Sequence, residues 1–369
     1  MAIRIVPYSA RETSGALAFN ERMRKAQAPT EFLLPEEPPA EASKDRAIRA
    51  VYYLAVEGEA VRGGFVLRDC PAWLDGAGIT AANCLAPLSE GIIDRKHSSL
   101  AMHFLRYMLR HSPYVFSVGM GNADNPYPRF LRAAGWTVLN VPFFYRVCRP
   151  ARFFRELAFF RQNRLRAGAA RVAAATGLGA LAVGLLQLQP PATRAKTAEL
   201  TIETPASWAE WADEIWGRFK TACSFSGARD ARTLEALYPI HESTLRRFLL
   251  RREGHPVAWG VAQNTQMRQD RYFGNLRVAT ILDCLGHPDE LAGAVAKVTE
   301  ALAAEGAELV ITNQCHAAMQ AAFRRAGFRQ GPSVYQLGLS KPLMERIRAG
   351  LGERAIHLTR GDGDGRMHL

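Results

Sequence analysis

Two short stretches in opposite halves of the chain echo each other. Phe130-Leu131-Arg132-Ala133-Ala134-Gly135-Trp136 returns as Phe323-Arg324-Arg325-Ala326-Gly327-Phe328, one residue shorter, keeping an arginine, Ala-Gly and an aromatic. Upstream, Leu54 to Phe65 (LAVEGEAVRGGF) returns in outline as Leu250 to Val261 (LRREGHPVAWGV), sharing Leu, Glu-Gly, Val and a later Gly. The first pair is offset by 192 residues at the Ala-Gly step and the second by 196. Two independent matches at nearly one offset predict a duplicated domain. A period of that size means a tandem of two folds, not a solenoid, and 369 residues have room for two.

The apolar fraction of 48% suits a chain with buried cores. Six cysteines (Cys70, Cys84, Cys148, Cys223, Cys284, Cys315) are scattered without a CxxC pair, so the spacing offers neither a zinc site nor a disulfide framework, and reduced core thiols are expected. The opening MAIRIVPYSARE lacks the apolar core of a signal peptide, which points to the cytoplasm. A net charge of +12 favours anionic partners: coenzyme phosphates, RNA or an anionic membrane surface. Part of the excess is local, since Arg146 to Arg171 holds eight arginines and one acid, Glu156.

Periodicity and turn signals give one order of elements twice. In the first half Ile3–Tyr8 reads as a strand and Ala10–Gln27 as a helix, followed by a proline-rich loop at 35–39. Ala50–Glu57 and Ala60–Arg68 form a hairpin across Gly58-Glu59, and Gly78–Leu88 is a strand. Lys96–His111 is a helix with apolar Leu100, Phe104, Leu105, Met108 and Leu109, ended by Pro113. Tyr114–Met120 is a strand, Pro126–Ala134 a helix stopped by Gly135, and Thr137–Cys148 a last strand. The second half reads as strand Leu200–Glu203, helices Ser207–Thr221 and Thr233–Tyr238, and the hairpin Leu245–Arg252 with Pro256–Gln263. Then come strand Asn275–Leu285, helix Glu290–Ala304, strand Leu309–Asn313, helix Ala317–Ala326 and strand Ser333–Leu339. The expected divisions are 1–148, a linker at 149–197, 198–342, and a tail at 343–369 that frays from Gly361.

Within the linker, Val172 to Thr193 carries no charge, a length that could cross a bilayer. It is Ala/Gly-rich, includes Thr176, Gln187 and Gln189, and breaks at Pro190-Pro191, so a buried or interdomain helix is expected. An interfacial hairpin with its arginines toward lipid headgroups, and a true span, stay open.

This order of elements, with the Ala-Gly-Trp and Ala-Gly-Phe steps, resembles the GNAT superfamily of acyl-CoA N-acyltransferases over roughly 1–148 and 198–340. The fold class expected is α/β (α+β): two tandem GNAT-like domains, each a mixed twisted sheet flanked by helices, joined by a helical linker. The tandem also resembles the peptidoglycan aminoacyltransferases, which use aminoacyl-tRNA. The superfamily binds pyrophosphate on a segment of pattern Arg/Gln-x-x-Gly-x-Gly/Ala that opens a helix, where backbone N–H groups meet phosphate oxygens. The matching residues here are Arg95, Lys96, His97, Ser98, Ser99 and Leu100. The arginine is in place, Ser98 and Leu100 replace glycines, and Ala101 comes one step late; arginine, lysine and serine side chains would take over part of the grip. The equivalent segment of the second half, Gly286-His287-Pro288-Asp289-Glu290, lacks the arginine. Pro288 removes an N–H, and the two acids repel an anion, so this half is expected to hold no coenzyme.

The resemblance implies a Tyr general acid where this chain has Leu131 and Phe323; neither they nor Phe130 has a hydroxyl, and Tyr127 in the same helix is the available substitute. Asn122 and Asn125 match the family's asparagine and equally suit helix caps. Leu88 lies where a strand N–H would stabilise the oxyanion. For a general base the candidates are Glu90, beside the end of the long strand, with His97 following, and Asp283, a lone acid among apolar residues whose pKa is expected to be raised. His103 and His111 read as surface. Arg268–Arg277 mixes cations with aromatics, as an anion- or sugar-binding loop would, and reads more simply as a solvated hairpin tip. The expected activity is transfer of an acyl group from acetyl-CoA or another acyl-CoA, without a metal, to an amine of a small molecule or cell-envelope precursor. The alternatives are an aminoacyl-tRNA-dependent transferase that binds tRNA, and a non-catalytic GNAT-fold module. Association with an anionic membrane surface through residues 146–193 is a further expectation.

Overall fold

The computed structural model describes residues 3–39, 47–161 and 164–363. Strands β1 (Ile3–Pro7), β2 (Arg49–Glu57), β3 (Ala60–Leu74), β4 (Ala77–Ser89), β5 (Val115–Val118) and β6 (Thr137–Asn140) are interspersed with helices α1 (Thr13–Lys25), α2 (Leu100–His111) and α3 (Pro126–Ala133). After β7 (Phe143–Val147) come five helices: α4 (Pro150–Glu156), α5 (Ala158–Arg161), α6 (Arg164–Ala175), α7 (Leu178–Leu186) and α8 (Pro191–Ala198). The rest runs β8 (Leu200–Glu203), α9 (Glu210–Phe219), β9 (Phe225–Gly227), α10 (Ala231–Leu237), β10 (Leu245–Arg252), β11 (His255–Gln266) and β12 (Arg277–Gly286). It closes with α11 (Leu291–Ala304), β13 (Leu309–Asn313), α12 (Ala317–Arg325), β14 (Arg329–Gly331), β15 (Gln336–Leu339), α13 (Lys341–Ala349) and β16 (Ile356–His357).

The chain forms two compact units. Unit 1 is Met1–Leu139 with Gln336–Gly350; unit 2 is Asn140–Tyr335 with Leu351–Leu369. The sheet of unit 1 has the order β1-β2-β3-β4-β5-β15-β6, and that of unit 2 the order β8-β10-β11-β12-β13-β7-β14. Position for position these are one topology. In each, the sixth strand comes from the other half of the sequence.

That exchange corrects the expected strand over Thr137–Cys148. It is two strands in two sheets, broken at Val141-Pro142, where Pro142 has no amide hydrogen to continue a ladder. β7 pairs with β13 and β14 in unit 2. In return β15, buried throughout, pairs antiparallel with β5 in unit 1. The units therefore do not divide at residue 148. Nor are residues 343–363 a loose tail. α13 buries Leu343, Met344 and Ile347, and Gly361 and Asp362, expected to fray, are buried. Residues 364–369 lie outside the described residues.

Alternation explains how the sheet of unit 1 is covered on both faces. Along β2, Tyr53 and Ala55 join one core with Phe65, Leu67 and the α2 residues Leu100, Phe104, Leu105 and Met108. The intervening Leu54 and Val56 join another with Ala16, Phe19 and Met23 of α1.

The repeat holds at the level of single hydrogen bonds. Trp136 N–H donates to Leu131 O and Gly135 N–H to Arg132 O, both at 3.0 Å; Phe328 N–H donates to Phe323 O at 3.0 Å and Gly327 N–H to Arg324 O at 3.1 Å. Leu131 thus corresponds to Phe323 with no gap, and both are fully buried. Both glycines stand in the left-handed region, at φ +82° and +86°. Their surroundings differ: a Cβ on Gly135 meets nothing within 4 Å, whereas one on Gly327 would lie 2.6 Å from the Gln187 carbonyl oxygen. We expect Gly135→Ala to cost about 1 kcal/mol of backbone strain and Gly327→Ala at least about 2 kcal/mol. Urea unfolding of the two variants checks the order; equal costs would contradict it.

Candidate active site

In each unit the strands at sheet positions four and five run parallel and then part. In unit 1, β4 and β5 pair at Ala82–Val115 and Asn83–Phe116. The Ser117 hydroxyl then donates to Cys84 O at 2.8 Å, bridging the split. In unit 2, β12 and β13 pair from Val278–Leu309 to Thr280–Ile311, and Thr312 Oγ1 donates to Ile281 O at 2.9 Å. Just past each split the long strand is bulged. Ala86 and Pro87 stand opposite Phe65, with Ala86 at φ +44°; Leu282 and Asp283 stand opposite Val261. Bulges re-aim a strand and are common beside functional sites.

Unit 1 brings together most of the residues singled out above. Leu88, at the end of β4, is buried and pairs with Gly64. Glu90 and Arg95–Ser99 follow in two 3-10 turns, Glu90–Ile92 and Arg95–His97, before α2 begins at Leu100, four residues later than expected. Gly91 lets the turns press together, since a Cβ there would lie 2.9 Å from His97 O. Arg95, Lys96, Ser98 and Ser99 are exposed. Asp94 caps the second turn, accepting from Lys96 N at 3.1 Å and pairing with Lys96 Nζ at 2.8 Å. The Ser99 hydroxyl does not cap α2. His97 is buried, with Nε2 3.9 Å from Asp94 Oδ2.

Glu90 is an ion-paired carboxylate. Arg22 Nε lies 2.6 Å from its Oε1, and Arg62 Nη1 lies 3.0 Å from its Oε2. Burial pushes its pKa up, but the two guanidiniums outweigh burial and hold it below the usual range. Tyr127 reaches the split itself: its hydroxyl donates to Cys84 Sγ at 3.5 Å. Burial, with the Cys84 thiol second, pushes the Tyr127 pKa well up, so the phenol keeps its proton. Asn122 and Asn125 are exposed in the loop before α3, and Asn125 occupies the N-cap position without capping through its side chain. His103 is partly buried, and exposed His111 pairs with Asp69 at 2.8 Å.

Asp283 lies in unit 2, inside a cluster that the sequence did not announce. Arg229, fully buried, donates from Nε to Asp283 Oδ2 and from Nη2 to Asp362 Oδ2, both at 2.6 Å. Tyr238 OH donates to the same Asp283 oxygen at 2.9 Å, and His357 Nε2 is 3.8 Å from Oδ1. The expected rise in the Asp283 pKa is therefore reversed. Burial raises it, but Arg229 first, then His357 and Tyr238, hold it low. Asp362 and His357 come from the supposed tail, so the C-terminal segment fills the region past the β12–β13 split. Arg360 Nε adds a bond to Asn313 Oδ1 at 2.9 Å.

The start of α11 is closed as well. Glu290 pairs with Arg252 at 2.6 Å, His287 N–H donates to Val257 O at 2.9 Å, and Lys196 Nζ donates to Asp289 O at 2.8 Å. Arg268–Arg277 is a hairpin tip in which Asp270 accepts from the amides of Tyr272 and Phe273, and Ala158 N–H donates to Tyr272 O at 3.1 Å from outside it. Among the described residues no histidine, cysteine, aspartate and glutamate group is arranged to hold a metal ion.

His316 gives unit 2 a pH signature. Its Nδ1 accepts from Ala318 N–H, which caps α12, so the Nε2–H faces Ala222 O at 3.2 Å. Protonating Nδ1 would set one N–H against another. Burial, with His357 second, lowers the His316 pKa to about 4. The unfolded chain takes up this proton near pH 6.5, which the folded chain refuses, so stability is present above about pH 6.5 and is lost as pH falls toward 4. We expect unit 2 to lose on the order of 2–3 kcal/mol over that window from this group. His316→Asn, which keeps a capping oxygen, should flatten the profile; an unchanged slope would contradict the assignment.

No family model and no curated protein matches the chain. Solved structures do. A GCN5-related N-acetyltransferase from Anabaena variabilis superimposes over 95% of this chain and 75% of its own, with a TM-score of 0.54 and 11% identity. Saccharomyces cerevisiae N-myristoyltransferase with bound myristoyl-CoA covers 92% of this chain and 82% of its own, at 0.52 and 9%. A probable N-acyltransferase from Enterococcus faecalis covers 94% and 75%, at 0.51 and 10%. At such identities the likeness is one of fold. Two sheets of identical strand order, each parting between its fourth and fifth strands just before a helix start, agree with it: the chain has a tandem GNAT-like fold.

Proposed function

We propose that this chain is an acyl-CoA-dependent N-acyltransferase whose coenzyme binds in unit 1 alone, at the connection from β4 to α2. The observation that carries the reading is the difference between the two helix starts. At α2, the exposed Arg95, Lys96, Ser98 and Ser99 precede a twelve-residue helix whose amides and dipole favour phosphate. At α11, acids and Arg252 already satisfy the turn, and the buried Arg229 cluster fills the region past the split.

In this reading the amine of the acceptor attacks the thioester carbonyl, the C–N bond forms and the C–S bond breaks. The leaving thiolate takes a proton from Tyr127, and the proton shed by the amine returns to Tyr127 through solvent. The Leu88 amide region faces the developing oxyanion. Neither carboxylate is retained as the base, because Glu90 is held ionised by two arginines and Asp283 is sealed in unit 2. The acceptor is taken as a free amine. The aminoacyl-tRNA and cell-envelope alternatives rest on the net charge and on the resemblance of the tandem alone.

Titration calorimetry with acetyl-CoA and a long-chain acyl-CoA tests the reading. We expect saturable binding, weakened at least about tenfold by Arg95→Glu, the scale of a charge-assisted phosphate contact. No heat and no thermal shift with either probe would overturn it.

A further inference from the structure

Half of the large exposed apolar side chains among the described residues fall in one short span. Phe159, Val172, Leu178, Leu181, Leu185, Leu186 and Leu188 are each between 53% and 63% exposed. Their centre is α7, LGALAVGLL, which has no polar side chain. The helix is apolar on both faces. Its inner face is packed: Gly179 sits against the Phe154 ring, where a Cβ would come within 2.5 Å, and Val183 joins a core with Phe153 and Val147. Its outer face shows Leu178, Leu181 and Leu185 at i, i+3 and i+7, a continuous stripe. A helix apolar all round is ordinarily buried, and a patch of this kind marks an interaction surface.

The neighbouring sequence says what covers it. α4, α6 and α7 pack together. The span from Arg146 to Arg171 holds eight arginines against one acid, and Arg149 and Arg155 are exposed. A second copy of this chain would bring two such arginine-rich spans together, and like charges repel. An anionic lipid surface supplies what both features need, phosphates for the guanidiniums and an apolar layer for the leucines. α7 spans about 13 Å at 1.5 Å per residue, far short of a roughly 30 Å hydrocarbon core. Among the described residues no helix is long and apolar enough to cross a membrane. We propose that α7 lies in the surface of an anionic membrane, its leucine stripe at the headgroup–acyl boundary and the flanking arginines on lipid phosphates.

The test is co-sedimentation of the full chain with phosphatidylcholine vesicles and with vesicles containing about one-third phosphatidylglycerol. Binding is expected to the second only, and to weaken as salt rises. Leu181→Asp/Leu185→Asp should reduce partitioning at least about tenfold while leaving the thermal melt and acyl-CoA binding unchanged. Arg155→Glu should weaken it less. Failure to pellet with the anionic vesicles, or full retention by the double variant, would overturn the proposal. So would a dimer in sedimentation velocity that the double variant dissolves without lipid binding, which would make the stripe a contact between copies.

Discussion

Arg229→Met should cost unit 2 about 3–5 kcal/mol, the range for removing one partner of a buried ion cluster. Methionine keeps much of the length and removes the charge. Asp283 and Asp362, each 2.6 Å from a guanidinium nitrogen, would then face each other with no cation between them. Burial, no longer opposed, would raise the Asp283 pKa, and part of the loss would be recovered by protonation as pH falls. In the native chain the sign is opposite. A carboxyl held low contributes stability above its unfolded pKa, near 3.9, and that contribution is lost as pH falls through the folded value. Asp283→Asn in the Arg229→Met background should restore part of the stability, because one orphaned charge is gone. Urea unfolding followed through Trp259, which is buried in this unit, reads the effect. A loss below about 1 kcal/mol would mean that the cluster does not hold the segment past the split.

Tyr127→Phe should lower kcat by about a hundredfold or more with little change in acyl-CoA affinity, the usual size for loss of a positioned proton donor. The phenol hydroxyl lies at the β4–β5 split, 3.5 Å from Cys84 Sγ, and burial keeps it protonated at neutral pH. Phenylalanine retains the packing against the core built on α2, so fold and binding serve as internal controls. A kcat within about threefold of the parent would remove Tyr127 from the chemistry and leave it a packing residue.

Much of the fold was legible because its signals are local. Gly135 and Gly327 end helices by a rule of backbone geometry, and α2 declares its inner face through Leu100, Phe104, Leu105 and Met108. The strand exchange was not legible. Thr137–Cys148 is β-forming except at Asn140 and Pro142; Pro142 marks a break, but nothing local says that the second half joins another sheet. The region around Arg229 was hidden for a related reason. A buried arginine has no sequence signature, and its partners Asp283 and Asp362 stand 79 residues apart, one in a strand and one in a stretch whose glycines suggested fraying. Glu90 was visible as an acid at the right place, but Arg22 and Arg62, which fix its charge, come from α1 and β3. Spacing along a chain finds phosphate-binding turns and caps. It does not find ion pairs closed by tertiary structure.

One coenzyme is expected to bind per chain, at the β4–α2 connection of unit 1. Amide hydrogen exchange with and without saturating acetyl-CoA tests it directly. We expect slowed exchange across residues 95–103 and unchanged exchange across 286–292. Protection at 286–292, or no protection at 95–103 while the coenzyme is bound, would contradict it.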